Sequence, residues 1–199
     1  MKIHFEDLQY TTFIDELQKQ KQKYMARPDQ IAKHQIETDI LFKEGETILA
    51  IQGLNAEDEA YFVDEFQEYR SDKMMDYYHE ISSYFQKAFA IFEVQISKSG
   101  CRIDFSKYPK INEVNQMVNV LKHGEGRSLE RLKALNSKFL AEPVEFPNIW
   151  QEMYSTKVFN LEMTDLFEFF DEAILVWKDK INQNKINREA AAADDESQK

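Results

Sequence analysis

The residues best suited to chemistry lie in one short stretch, Asn119 to Ser128, which reads Asn-Val-Leu-Lys-His-Gly-Glu-Gly-Arg-Ser. Histidine is the side chain most often used as a general acid or base, so the His123 ring could have that role. Arg127 and Arg131 could hold a phosphate, because a guanidinium binds oxyanions through two parallel hydrogen bonds. Asn119 lies one helical turn before His123 and could orient the ring or contact a substrate. The stretch therefore predicts a site for a phosphate-bearing ligand.

The residues of the candidate site are assigned two kinds of role, catalysis and substrate binding. Catalytic roles are assigned to His123 and Asn119, and substrate binding is assigned to Lys122, Arg127, Ser128, Arg131 and Asn115. The same stretch also has a purely structural interpretation. Gly124 has the place of a left-handed residue after a helix, the cations before it favour the helix dipole, and Ser128 is placed to cap the next helix. The sequence leaves both interpretations open.

The helix that leads to His123 carries a stripe of uncharged amides. At 100° per residue, its apolar side holds Ile111, Val114, Val118 and Leu121, and the opposite side holds Asn112, Asn115, Gln116, Asn119 and His123. Solvated helix faces usually carry Lys and Glu, whereas Asn is a poor helix former. The stripe therefore predicts contact with another polar surface, which is a ligand, a partner chain or another part of the fold.

The elements that must position this site are predicted to be helices. The chain has only 5 Gly and 4 Pro in 199 residues, and its apolar residues recur at helical spacing. Helices are expected over residues 3–24, 29–52, 56–97, 111–123, 129–139 and 163–181, with a loop at Pro143 and Pro147. The sequence therefore predicts an all-α fold, an antiparallel bundle of five to six helices.

The longest predicted helix and the end of the chain set the domain organisation. As a straight rod, residues 56–97 would span about 60 Å, so this helix either overhangs the domain or bends, and we expect a break at Arg70, Ser71 and Asp72. Residues 1–183 are expected to form one domain, with N-terminal helices in 1–55 and the main bundle in 56–183. Residues 184–199 lack core-forming side chains after Ile186 and predict a disordered tail.

Composition narrows the class of protein. The net charge of -11 repels nucleic acid at long range, but residues 121–140 hold five cations against two acids, a local balance of +3. Cys101 is the single cysteine, which excludes an intramolecular disulfide or a CxxC metal site and suits a reducing cytoplasm. No apolar run approaches the roughly 20 residues that cross a bilayer. We expect a cytoplasmic protein without metal, cofactor or membrane association.

The helical pattern and the late-helix histidine resemble the HEPN superfamily of small all-helical domains. The resemblance covers residues 57–182 and rests on a polar residue, a short spacer and His123 late in a helix. The Lys-His-Gly-x-Gly-Arg-Ser run at 122–128 is similar to a run in uncharacterised bacterial all-helical proteins. Many members are metal-independent ribonucleases whose site forms across a dimer, and their signature is an Arg with a His four to six residues further on. His123 matches the His, but residues 115–119 contain no Arg.

The resemblance implies a domain that binds or cleaves RNA or nucleotides, in prokaryotic defence or in a toxin–antitoxin module, with a homodimer as one expected state. The alternative is a non-catalytic protein–protein interaction module, docked through the amide stripe and the first helices. The missing Arg favours the alternative, whereas the cations after His123 favour the first interpretation. The sequence alone does not decide whether the protein is an enzyme.

Overall fold

Five α-helices form the part of the chain that the structure describes. This computed structural model describes residues 4–26, 56–124, 126–140, 159 and 161–197, and for 56–75 and 194–197 the backbone alone. The helices are α1 (Phe5–Met25), α2 (Ala56–Ser99), α3 (Pro109–His123), α4 (Arg127–Ala134) and α5 (Met163–Ser197), with 3₁₀ turns at Phe105–Lys107 and Lys138–Leu140. These ranges contain no β-strand, which confirms the all-α prediction. The predicted helix at 29–52 and the loop at Pro143 and Pro147 lie outside the described residues.

Helices α1 and α5 form an antiparallel pair. Lys21 Nζ lies 2.5 Å from Asp171 Oδ1 at one end, and Arg188 Nη2 lies 2.7 Å from Asp7 Oδ2 at the other. The hydrogen bond from Arg188 is the main reason that the pKa of the Asp7 carboxyl is lowered from its ordinary value. Because the residue numbers of the two helices run in opposite directions along the contact, the pair has the antiparallel arrangement expected of the bundle.

An aromatic cluster around Trp177 fills the core between α1, α2 and α5. The indole is fully buried and stacks on Tyr10, with ring centroids 5.4 Å apart and planes 17° apart. Phe13 and Phe92 also contact it, with centroid distances of 5.0 and 5.9 Å. Each such aromatic pair contributes about 0.5–1.5 kcal/mol beyond the area that it buries. Rings that recur at helical spacing along three helices therefore pack together in one core.

One buried amide connects the same three helices. Gln95 on α2 donates through Nε2 to Phe13 O at 3.3 Å and to Glu16 Oε2 at 2.8 Å, both on α1. Its Oε1 accepts a hydrogen bond from Trp177 Nε1 on α5 at 2.9 Å. A buried polar group is costly unless it is hydrogen-bonded, and here both ends of the amide have partners. Gln95 therefore fixes the relative positions of α1, α2 and α5.

Two helices are longer than the sequence predicts. α5 continues to Ser197, although a disordered tail is predicted from residue 184. Asn184 and Arg188 both bind Asp7 of α1, which holds the first turns of this extension, and four alanines at 190–193 favour helix. α2 is helical through Arg70–Asp72, where the polar residues predict a break. In both helices, local polarity is a poor guide to where the helix ends.

Replacing Gln95 tests its role as the connection between three helices. We expect Gln95→Ala to lower the free energy of unfolding by about 2–4 kcal/mol, since it leaves Trp177 Nε1 buried without a partner. Gln18→Ala, on the exposed side of α1, serves as the control and should change stability by less than about 0.5 kcal/mol. Urea unfolding of both variants measures the difference. Equal stabilities would show that the buried amide contributes nothing.

Candidate functional site

His123 is the last residue of α3, immediately before the turn to α4. Gly124 follows with φ of 77°, in the left-handed region, and its N–H donates to Val120 O at 2.8 Å. This is the helix end that the glycine predicts. The His123 side chain is exposed, and no hydrogen bond joins it to another residue in the described ranges. The turn therefore presents the imidazole to solvent instead of burying it in the bundle.

Helix α4 begins three residues after Gly124 and carries two arginines on one side. Arg127 is its first residue and Arg131 lies four residues further on, so their side chains project from neighbouring turns of the same face. Both are exposed, and neither makes an ion pair with a described residue. The first N–H groups of a helix have no acceptor inside it and carry partial positive charge. The start of α4 is therefore suited to an anion.

The cap of α4 differs from the prediction. Gly126 occupies the N-cap, its carbonyl accepts from Glu130 N at 3.2 Å, and no side chain caps the helix. Ser128, predicted to be the cap, is instead the second residue of the helix and is partly buried. The helix starts earlier than predicted because Gly126 ends the turn. Ser128 thus lies between the two arginines along the chain.

Four residues define what we call the basic corner, which are Lys122, His123, Arg127 and Arg131. Lys122 Nζ lies 3.5 Å from Glu93 Oε2 on α2, a long contact between exposed groups. Such surface pairs contribute little and are easily exchanged for another partner. The cations predicted for substrate binding lie on either side of the turn, Lys122 in the last turn of α3 and Arg127 and Arg131 in α4, and all of them are exposed.

The amide stripe on α3 is narrower than predicted. Asn112, Asn115 and Asn119 are partly exposed, and Asn119 Nδ2 donates to Asn115 Oδ1 at 3.1 Å. Gln116 does not belong to the exposed polar face: the residue is only 3% exposed, and its Oε1 is buried with no hydrogen-bond partner among the described residues. Gln116 lies on the side of the wheel opposite the apolar residues, but only about 40° from Val120, which is also buried. Burial of α3 therefore extends further round the helix than the apolar residues suggest.

A buried charge cluster, which the sequence does not reveal, lies at the other end of α3. The Asp165 side chain is 1% exposed, and its Oδ1 lies 2.8 Å from Lys110 Nζ and 2.6 Å from Lys138 Nζ. Lys110 also contacts Glu113 Oε2 at 3.2 Å and Glu168 Oε2 at 3.1 Å. Only the pair Lys110 and Glu113 has helical spacing. Asp165 is distant in sequence from both lysines, so no local pattern predicts this cluster.

The charge cluster holds the segment that carries the basic corner. After α4, Asn136 turns the chain with φ of 54°, and Ser137 Oγ then donates to Glu113 near the start of α3. Lys138 next reaches Asp165 on α5. Helix α3, α4 and the following turn therefore form a hairpin. Its open end is held by the Ser137–Glu113 hydrogen bond and by the ion pairs of Lys110 and Lys138 with Asp165. The basic corner is the closed end of that hairpin.

Burial alone would lower the pKa of Lys110, but hydrogen bonds to Asp165 and Glu168 raise it above its ordinary value. The bond to Asp165 also raises the pKa of Lys138, against a smaller effect of burial. Both lysines therefore hold their protons more tightly in the folded protein than in the unfolded chain. Their shifts make the charge cluster a source of stability at neutral pH.

Beside the charge cluster lies a groove of about 360 Å³ with acidic walls. It is lined by Pro109, Lys110, Glu113, Glu168, Asp171 and Glu172. Glu172 Oε2 accepts from Ile111 N at 3.0 Å, so a carboxylate of α5 caps the start of α3. α3 has 15 residues and is about 22 Å long, which separates this groove from the basic corner. The two ends of α3 therefore present opposite charge, and the groove does not suit a phosphate.

Comparison with known proteins yields no relative: no family model, no curated protein and no solved structure matches the chain. Across the described residues, no three or more His, Cys, Asp or Glu side chains are arranged to hold a metal ion. None of the described helices combines the length and apolar character needed to cross a bilayer. Function must therefore be argued from the basic corner and its surroundings.

The charge cluster and its neighbours make stability sensitive to alkaline pH. Burial and the hydrogen bond that it donates to Asp179 raise the pKa of Tyr108 to about 12, and the pKa of Lys110 is also raised. Because both pKa values are higher in the folded protein than in the unfolded chain, the stability that these groups contribute is fully present below about pH 10, where they are protonated in both states. That contribution is lost as the pH rises above about 10.

We therefore expect the urea midpoint to be level from pH 8 to 9 and to fall between pH 10 and 12. Tyr108→Phe removes one titrating hydroxyl and should make that fall shallower than in the wild type. Midpoints measured by tryptophan fluorescence and by helix content should agree. A wild-type midpoint that is equal at pH 8 and pH 11 would contradict the assignment.

Proposed function

We propose that the protein is a HEPN-like helical module that binds RNA at the basic corner without cleaving it. The observation that carries the proposal is the exposure of His123, Arg127 and Arg131 together, none of them paired with another described residue, beside the start of α4. Arginine side chains and helix N-termini are the groups that position nucleic-acid phosphates. The resemblance noted in the sequence suggests a role in prokaryotic defence or in a toxin–antitoxin module.

Overall charge shapes the kind of binding that we propose. The protein carries a net charge of -11, so long-range steering opposes an approaching polyanion. Binding must then come from short-range contacts at the corner, which salt screens strongly. We expect affinity to be measurable at low ionic strength and to fall as salt is added, with a slope set by few phosphate contacts. A ligand that bound equally at all salt concentrations would not be held this way.

Two features favour binding over cleavage. A general acid or base needs a partner that orients its proton, and no described residue hydrogen-bonds the His123 ring. The positions before it, 115–119, contain no arginine that could stabilise a charged transition state in the manner the resemblance implies. His123 is therefore assigned a binding role, and Asn119 is assigned to ligand contact instead of catalysis.

A second candidate function is a protein–protein interaction module, which exposed apolar side chains favour. Phe5 is 80% exposed, and Leu8 lies one turn along the same helix with 53% of its surface exposed. Ile186 on α5, a helix that pairs with α1, is also exposed at 58%. Large apolar groups on a surface are more typical of partner contacts than of solvated helices. This candidate places the functional surface on α1 and α5, away from the basic corner.

The test is RNA binding by matched charge variants. We expect Arg127→Ala/Arg131→Ala to weaken binding of a fluorescent RNA about tenfold or more at low salt and to flatten the salt dependence. Lys87→Ala/Lys178→Ala removes the same charge from two exposed lysines elsewhere and should leave binding within about twofold. Fluorescence anisotropy across a salt series gives both the affinity and the slope.

The same samples show whether the RNA stays intact. We expect intact RNA after prolonged incubation with the wild type, as resolved on a denaturing gel. Cleavage by the wild type that is lost in His123→Ala would replace the binding proposal with a ribonuclease. Failure of the wild type to bind any RNA, together with a partner protein whose binding needs Phe5 and Leu8, would support the second candidate function.

A further inference from the structure

We propose that the partly exposed asparagines of α3 contact the bases of a single-stranded RNA whose phosphates lie at the basic corner. We call these residues, Asn112, Asn115 and Asn119, the amide ridge. This inference rests on the proposed RNA binding and adds to it the class of ligand, a single strand with accessible base edges. It also assigns a role to amides that the structure does not use in packing.

The amide ridge is the strip of α3 that its own bundle leaves accessible. On the helical wheel, the three asparagines and His123 fall within an arc of about 80°. Most of the rest of the circumference is taken up by buried residues, which are Ile111, Val114, Gln116, Met117, Val118 and Val120. Because burial surrounds it on both sides, the amide ridge forms a narrow polar track. That track leads along the helix axis to His123.

One hydrogen bond fixes the orientation of the ridge. Asn119 Nδ2 donates to Asn115 Oδ1 at 3.1 Å, so each amide restrains the other. This bond uses one N–H of Asn119 and one lone pair of Asn115, and neither amide has another hydrogen bond within the described part of the chain, so each keeps both a donor and an acceptor for a ligand. Asn112 makes no side-chain hydrogen bond with a described residue. Restrained amides with unused capacity are pre-organised for a ligand, since little side-chain freedom is lost on binding.

Amides are the side chains best matched to a base edge. Adenine presents an acceptor, N7, beside a donor, N6, and a carboxamide pairs with both at once. Arginine and lysine read guanine, and they lie at the corner instead of along the ridge. We therefore expect adenine to be the preferred base. An Asn-rich face also disfavours helix formation, so these residues are more consistent with hydrogen bonding to a ligand than with a solvated surface.

Geometry favours a single strand over a duplex. The N6 and N7 edges of paired adenines in an A-form helix lie in a deep, narrow major groove that side chains cannot read. Asn119 lies about 6 Å along the axis from His123, and Asn115 about 12 Å. A strand whose phosphates contact Arg127 and Arg131 can therefore place neighbouring unpaired bases against the ridge. Charge complementarity at the corner identifies the ligand as an anion, and the ridge supplies the hydrogen bonds that distinguish bases.

The experiment compares base preference with salt dependence in one set of proteins. The probes are oligoadenylate, oligouridylate and oligocytidylate of equal length, together with a duplex. The variant is Asn115→Ala/Asn119→Ala, and Asn182→Ala/Gln18→Ala removes two exposed amides elsewhere as its control. Alanine is a better helix former than asparagine, so the variant should fold, and its melting temperature checks this.

We expect the wild type and the control to bind oligoadenylate about tenfold more tightly than the other strands and the duplex. Asn115→Ala/Asn119→Ala should bind all single strands alike, within about twofold, and keep the wild-type salt slope. A wild type without base preference, or a preference that survives in this variant, overturns the inference and leaves RNA binding at the corner standing. Absence of RNA binding by the wild type overturns both.

Discussion

The buried carboxylate of Asp165 is the interaction on which the placement of the site depends. Its Oδ1 is shared by Lys110, at the start of α3, and by Lys138, which follows α4. A buried carboxylate is costly to desolvate unless it is paired, so these two lysines must stay together near the start of α5. Once they do, the chain between them is a closed hairpin with its turn at Gly124. The basic corner is held by a constraint at the opposite end of α3.

The two ends of α3 then divide the charge of an acidic protein. Carboxylates gather at the start of the helix, where they cap its N–H groups and bind Lys110. Cations gather at its end, where they suit the negative end of the helix dipole. The start of α4 adds two arginines that no described carboxylate neutralises. Local separation of charge, not net charge, is what makes anion binding at the corner physically reasonable.

Much of the fold could be predicted from the sequence, because helical spacing of apolar residues is a local property. The helix ends at His123 and Gly124 follow from residue types within a few positions. The charge cluster at Asp165 could not be predicted, since its pairing depends on tertiary folding. The burial of Gln116 also escaped prediction, because the amount of a helix that is covered depends on its neighbours. For the site, residue types indicated the cations of the corner, and only the structure showed which amides of α3 are buried and which are partly exposed.

Mapping RNA contacts residue by residue tests the central claim most directly. Nuclear magnetic resonance of labelled protein, titrated with a short single-stranded oligoadenylate, would report the chemical shift of each backbone amide. The account predicts that the largest changes lie between Asn112 and Arg131, at the amide ridge and the basic corner, with little change around the acidic groove at Asp171 and Glu172. Changes confined to α1 around Phe5, or no changes at all, would contradict it.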